Sequence, residues 1–103
     1  MNIVFQAHHA VISDYMRTRT ERAMEKIGER FPSSLDATVR FEQDGPGRRV
    51  EIVLHGRGAN RWVAEGHGRS YGPALTAAIK HLQSQLSHKK RVAKDRAHVA
   101  RRA

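Results

Sequence analysis

The side chains of this chain that could do chemistry are mostly cations, and many of them lie at one end. Residues 89–103 hold 7 of the 19 Lys and Arg but only 1 of the 10 Asp and Glu, and so supply +6 of the formal net charge of +9. Clustered cations neutralise phosphates, which gives strongly salt-dependent binding with little reading of base sequence. The clustering predicts a polyanionic partner, nucleic acid before an anionic membrane surface, and disfavours charge that serves solubility alone.

Further cations recur at helical spacing on two segments of the chain. Nine residues of the two predicted helices are expected to contact RNA. On the first helix they are Arg17, Arg22, Lys26 and Arg30, and on the last helix Lys80, His88, Lys89, Lys90 and Arg91. Carboxylates stand three or four residues from several of them, so part of the first helix is expected to be a solvated face with ion pairs. A-form RNA suits contacts of this kind to its sugars and phosphates, although composition alone does not separate RNA from DNA.

The seven histidines do not predict a metal site. His8 and His9 are adjacent near a predicted strand end, so we expect them to point to opposite faces. His81 and His88 can share a helix face, but no third ligand stands beside them at ligand spacing. The chain has no cysteine, which excludes disulfides and thiolate zinc sites and fits a reducing compartment.

No segment predicts catalysis or cofactor binding. The glycine-rich residues 66–72 lie between a strand and a helix, but their spacing is neither that of a dinucleotide-binding turn nor that of a P-loop. No strand follows to complete a nucleotide crevice. The serines lack a nucleophile-elbow context. We therefore expect a protein that is not an enzyme and has no cofactor and no small-molecule substrate.

The hydrophobic pattern predicts the element order β-α-β-β-β-α. Residues 2–7 are β-branched and aromatic, and Ser13 can cap a helix that Pro32 ends. Alternation with period two then predicts three strands joined by glycine-containing turns. Apolar residues at steps of three and four predict a last helix from Tyr71 to Arg91.

These elements predict an α+β fold, a two-layer sandwich in which two helices cover one face of a four-stranded sheet and leave the other face wet. The two helices then share one face, so their cations merge into a single basic stripe. One domain is expected over residues 1–91, with a basic tail over residues 92–103 that frays or is disordered. We see no signal peptide and no apolar run that approaches a bilayer span, and expect a cytoplasmic location.

Four places in the chain carry a family likeness. They are the opening MNIVFQAHHAVISDYMR, the helix that follows through Ile27, the strand WVAEG, and the last helix with Ala74-Leu75, Ile79, Leu82 and Gln85-Leu86 ahead of the basic run. In this order, over residues 1–91, they resemble the ribosome hibernation promoting factor family, which includes the ribosome-associated inhibitor protein Y. Some relatives carry the older label of sigma-54 modulation proteins.

The resemblance implies a short-form domain that binds the small ribosomal subunit near its decoding region and contacts 16S rRNA. There it would block messenger and transfer RNA sites, and so silence 70S ribosomes during stress or stationary phase. It carries over the basic positions named above on both helices, except Arg30 and His88. Relatives are often richer in Lys and Arg where this chain has His81, Gln83 and Ser84, which shifts the expected contacts toward Lys89, Lys90 and Arg91.

Two other functions stay open from the sequence. One is a general double-stranded RNA- or DNA-binding module, and the other is an interaction protein that docks a transcription-related partner. A membrane role is disfavoured, because the apolar face of the last helix is needed to cover the sheet. The sequence also leaves open whether ribosome dimers are promoted or prevented.

Overall fold

The computed structural model describes the backbone of residues 1–102 and the side chains of residues 1–34 and 36–88. The chain forms six elements in the predicted order. They are β1 (Asn2–His8), α1 (Asp14–Arg30), β2 (Ser34–Asp44), β3 (Gly47–Gly56), β4 (Arg61–Gly68) and α2 (Tyr71–Arg102).

Helix α1 begins and ends where its capping residues predict. The side-chain oxygen of Ser13 accepts a hydrogen bond from the backbone N–H of Met16 at 3.1 Å, which satisfies one of the free donors of the first turn. The helix ends at Arg30, and the N–H of Phe31 donates to the carbonyl oxygen of Ile27 at 2.8 Å. Pro32 follows, and proline cannot continue a helix.

The sheet is mixed, with its strands in the order β1-β2-β3-β4. β2, β3 and β4 form an antiparallel meander, and β1 pairs parallel to β2 from Asn2 opposite Asp36 to His8 opposite Glu42. The turn between β2 and β3 has two residues, and Gly45 occupies a positive φ of 59° there, which a residue with a Cβ rarely adopts. The parallel pairing requires a crossover connection, and α1 supplies it.

The core lies between one face of the sheet and both helices, as predicted. Alternate residues of the strands point into it, while α1 and α2 contribute residues at steps of three and four. The buried apolar residues are Met24, Ile27, Ala37, Val39, Phe41, Val50, Ile52, Leu54, Ala64, Ala74, Leu75, Ala78, Leu82 and Leu86. The alternate residues of β2, β3 and β4 on the opposite side form what we call the open sheet face.

Gly66 sets how closely α2 lies on β4. A Cβ at this position would clash with the carbonyl oxygen of Ala74 and the backbone nitrogen of Ala78, and would lie 2.8 Å from the Cβ of Ala77. Helix backbone therefore rests directly on strand backbone, which requires glycine on the strand and small residues on the helix. This contact fixes the position of α2 relative to the sheet.

The structure differs from the sequence-based expectations at the end of β1 and at the end of α2. The ring centroids of His8 and His9 lie 4.4 Å apart, so the expectation that they point to opposite faces is wrong. His9 has a φ of 53° and has left the strand, so strand alternation no longer applies to it. The predicted end of the last helix at Arg91 is wrong, because the backbone of α2 continues as a helix to Arg102. The tail predicted over residues 92–103 lies outside the described side chains and stays a prediction.

Candidate nucleic-acid interface

A groove runs between the two helices, and its α1 side is basic. Its volume is about 450 Å³, and we call it the α1–α2 groove. From α1 it is lined by residues at helical spacing, and from α2 by an isoleucine and a glutamine: Tyr15, Thr18, Arg19, Arg22, Ala23 and Lys26, and Ile79 and Gln83. Among the described residues, no carboxylate lines it.

Two carboxylates of α1 lie on a different side of the helix from the groove cations. Glu21 and Glu25 line a different depression, with Met1, Asn2 and Ile3 at the start of β1. The cations Arg22 and Lys26 line the groove toward α2. Within the described side chains no residue of α1 makes an ion pair, so the ion pairs expected along this helix do not form there.

Arg19 is held across the groove by α2. Its Nη2 donates a hydrogen bond of 2.5 Å to the hydroxyl oxygen of Thr76, and that hydroxyl donates to the carbonyl oxygen of Gly72 at 3.1 Å. One of the five N–H donors of the guanidinium is used in this bond. The bond therefore fixes the guanidinium in position and leaves donors for a ligand.

On the open sheet face, in contrast to the groove, several cations are paired with carboxylates. The guanidinium of Arg49 lies 2.8 Å from a carboxylate oxygen of Glu51, 2.5 Å from one of Glu65 and 3.7 Å from one of Glu42. Arg40 pairs with Glu42 at 3.3 Å. Within residues 1–34 and 36–88, every ion pair lies on the strands. Arg40 and Arg49 are therefore neutralised by carboxylates of the protein itself, whereas the cations of the groove are available to an external anion.

The Arg49 cluster also shifts protonation equilibria. The hydrogen bonds and charge of Arg49 hold the pKa of the Glu65 carboxyl below its usual range, with a smaller contribution from His67. The hydrogen bond to Glu65 raises the pKa of Arg49 in turn. Both groups therefore stay charged at neutral pH, and the cluster presents no unpaired cation to a phosphate.

Only some of the residues predicted to contact RNA line the α1–α2 groove. Arg22 and Lys26 line the α1–α2 groove, but Arg17 lies over the ring of Phe5, 4.5 Å from its centroid, and Arg30 lies near the ring of Phe31. Lys80 and His88 are exposed on α2 but do not line the groove. Lys89, Lys90 and Arg91 lie outside the described side chains. The single stripe expected from both helices is therefore, in the described part, a groove with its cations on α1.

The prediction from the sequence missed Arg19 and Tyr15. Tyr15, Arg19, Arg22 and Lys26 follow one another at steps of four, three and four, so the helical period contained the signal. It was obscured because α1 carries cations on several sides, and only packing against α2 shows which side meets the second helix. The described residues contain no group of three His, Asp or Glu side chains that could hold a metal ion.

The fold and the groove define a small α+β protein with a basic groove between its helices and a network of ion pairs on its sheet. The chain belongs to the family described as sigma 54 modulation protein / S30EA ribosomal protein, whose model matches residues 3–94. No curated protein sequence matches the chain at a significant level. No described helix is both long and apolar enough to cross a bilayer.

The fold is shared with solved structures that include the following two. A ribosomal subunit interface protein from Coxiella burnetii superposes with a TM-score of 0.80 at 19% identity, covering 87% of this chain and 98% of the other. The N-terminal domain of Protein Y from Thermus thermophilus superposes with a TM-score of 0.67 at 20% identity, covering 89% and 99% respectively. These likenesses confirm the predicted fold.

Proposed function

We propose that this protein is a ribosome hibernation factor of the cytoplasm. It binds the small ribosomal subunit through 16S rRNA at the decoding region and inhibits translation by occupying messenger and transfer RNA sites. The observation that supports this most directly is the separation of charge between the layers, with unpaired cations lining the α1–α2 groove and with Arg40 and Arg49 paired to carboxylates on the open sheet face. Membership of a family that includes a ribosomal protein makes rRNA the favoured polyanion.

Inhibition by this route needs no catalytic group. A rigid folded domain that neutralises several phosphates excludes other ligands from the volume that it fills, and binding energy is all that it requires. The core between the sheet and the helices supplies the rigidity, and the α1–α2 groove supplies cations held by the fold. The 70S ribosome is then silenced for as long as the domain stays bound.

Co-sedimentation with separated subunits and with 70S ribosomes tests this function. We expect the protein to move with small subunits and 70S ribosomes, to leave them as salt rises, and to slow translation in vitro. Initiator tRNA and messenger RNA, bound first, should reduce its association because they would occupy the same sites. Folded protein that stays at the top of the gradient at moderate salt, or that moves only with large subunits, would contradict the proposal.

A second candidate follows from the other half of the family description, sigma-54 modulation. In that case the main partner is a transcription protein, docked on the open sheet face or on the basic helices. Capture of that partner from lysate should then survive nuclease treatment, whereas capture through RNA should not. A general duplex-binding module would instead bind random duplex RNA as tightly as ribosomes at equal salt.

A further inference from the structure

We propose that the α1–α2 groove binds an unpaired nucleotide of RNA, with its base against Tyr15 and its phosphates on Arg19, Arg22 and Lys26. The inference rests on the proposed function in that RNA is the expected ligand. It goes further by naming the form of RNA and the residues that select it. The groove volume of about 450 Å³ lies within the usual range for small-ligand sites, about 300–1,000 Å³.

The aromatic ring of Tyr15 is the first part of the argument. Tyr15 stands in the first turn of α1, after the Ser13 cap, and is 73% exposed. It does not belong to the core or to the residues packed against it. An exposed aromatic ring beside free cations is the arrangement by which proteins stack a base, because every base offers a π-face.

The cations are the second part. Arg19 is held by its hydrogen bond to Thr76, and Arg22 and Lys26 follow it on the same side of α1. Three cations therefore line the groove on the C-terminal side of Tyr15. They make no ion pair within the described residues, and the nearby Glu21 and Glu25 line the other side of the helix. A phosphate entering this groove meets no like charge from α1.

The apolar and amide groups of the groove favour an unpaired base over a duplex. Half-buried Ala23 and Ile79 provide apolar lining beside the cations, and the side chain of Gln83 offers an amide to a base edge. A base inside an RNA duplex already has both faces stacked against neighbouring bases and its pairing edge occupied. Only an unpaired base can present a face to Tyr15 and an edge to Gln83.

Binding of short RNAs to the whole protein tests the site. The probes are a single strand that carries 2-aminopurine at one position and a hairpin duplex with the same number of phosphates. We expect the wild type and Tyr15→Phe to prefer the single strand and to quench 2-aminopurine by stacking. Tyr15→Ala should bind the single strand roughly 5- to 150-fold more weakly, the range that loss of one stacked base predicts, without quenching and with unchanged duplex binding.

Two matched controls separate stacking from charge and from general damage. Val11→Ala removes another exposed apolar side chain, 91% exposed and just ahead of α1, and should change nothing. Arg22→Gln should reduce the slope of log affinity against log salt by about 0.7 for a single strand while quenching persists. Adenosine monophosphate should compete poorly, because it offers a single phosphate group to three cations.

Each contrary outcome identifies what fails. Equal single-strand binding by wild type and Tyr15→Ala, equal loss in Tyr15→Phe and Tyr15→Ala, or a preference for the duplex would overturn the groove assignment. Adenosine monophosphate binding as tightly as the oligonucleotide would make this a small-molecule site instead. Wild-type protein that quenches the oligonucleotide but does not sediment with ribosomes would reject the proposed function and leave the groove in place.

Discussion

Gln85 of α2 reaches the edge of the sheet, where its side-chain amide donates a 2.8 Å hydrogen bond to the carbonyl oxygen of Val63. One helical turn earlier, Nδ1 of His81 lies 2.7 Å from the carbonyl oxygen of Glu65 and donates to it. His81 and Gln85 are four residues apart on α2, and their partners Glu65 and Val63 are two residues apart on β4. β4 is the last strand of the sheet, and no strand of the described residues pairs with its outer edge. Two backbone acceptors that would otherwise invite a further strand are occupied.

Replacing both His81 and Gln85 with alanine should therefore lower the stability of the fold and leave the outer edge of β4 open to pairing. We expect the free energy of unfolding to fall by about 0.5–1.5 kcal/mol for each hydrogen bond. Self-association should rise, measured by sedimentation velocity across a concentration series. Ser84→Ala, an exposed position between them, is the control. A double variant as stable and as monomeric as this control would contradict the role of the two bonds.

Gly66→Ala should destabilise the fold more than an ordinary surface change. The added methyl group meets helix backbone at Ala74 and Ala78, which cannot move aside without shifting α2. Overpacking of this kind costs about 1–3 kcal/mol or more. Gly28→Ala in α1 is the control, because its new methyl meets only the flexible end of Met1 and helix propensity favours alanine by roughly 1 kcal/mol. Urea unfolding should order the stabilities as Gly28→Ala, wild type and Gly66→Ala, from highest to lowest.

The Arg49–Glu65 pair should stabilise the folded protein at neutral pH and lose this effect in acid. The pKa of Glu65 is lower in the folded state than its unfolded value of about 4.3, so its contribution is present above that value. It is lost as pH falls through the folded pKa. Glu65→Gln should therefore lower stability slightly at pH 7, since the pair is exposed, and the difference should vanish in strong acid.

Thermal unfolding at a series of pH values measures this difference. The control is Glu25→Gln, which removes the same charge from α1, where the described residues form no ion pair. A Glu65→Gln deficit that grows as pH falls below 4 would contradict the assigned sign.

Removal of two groove cations should weaken ribosome binding through its salt-dependent component. For the double variant Arg22→Gln and Lys26→Gln, we expect the slope of log affinity against log salt to fall by roughly 1 to 2. The matched control is Arg40→Gln with Arg61→Gln, which removes the same charge from the open sheet face. Equal losses in the two double variants would show that net charge, and not the groove, determines binding.

The sequence predicted the elements and the core better than it predicted the site. Alternation and helical period determine which side of a strand or helix is apolar, so residues such as Val39 and Leu82 were identifiable from the pattern. The same pattern does not tell a strand which neighbour to pair with, and the parallel register of β1 was not predicted. It also does not give the rotation of α1 against α2, which separates Arg19 from Arg17.

The crossover through α1 has a consequence for the order of folding. β2, β3 and β4 are joined by short turns, whereas β1 reaches β2 only after the whole of α1 has closed the loop between them. Loop closure costs entropy before the pairing repays it, so we expect β1 to join the sheet last and to be the first strand to open. Amide hydrogen exchange should accordingly be faster in β1 than in β3. In that order of folding, the connection closed last, when β1 pairs with β2, contains Tyr15 and the groove cations of α1.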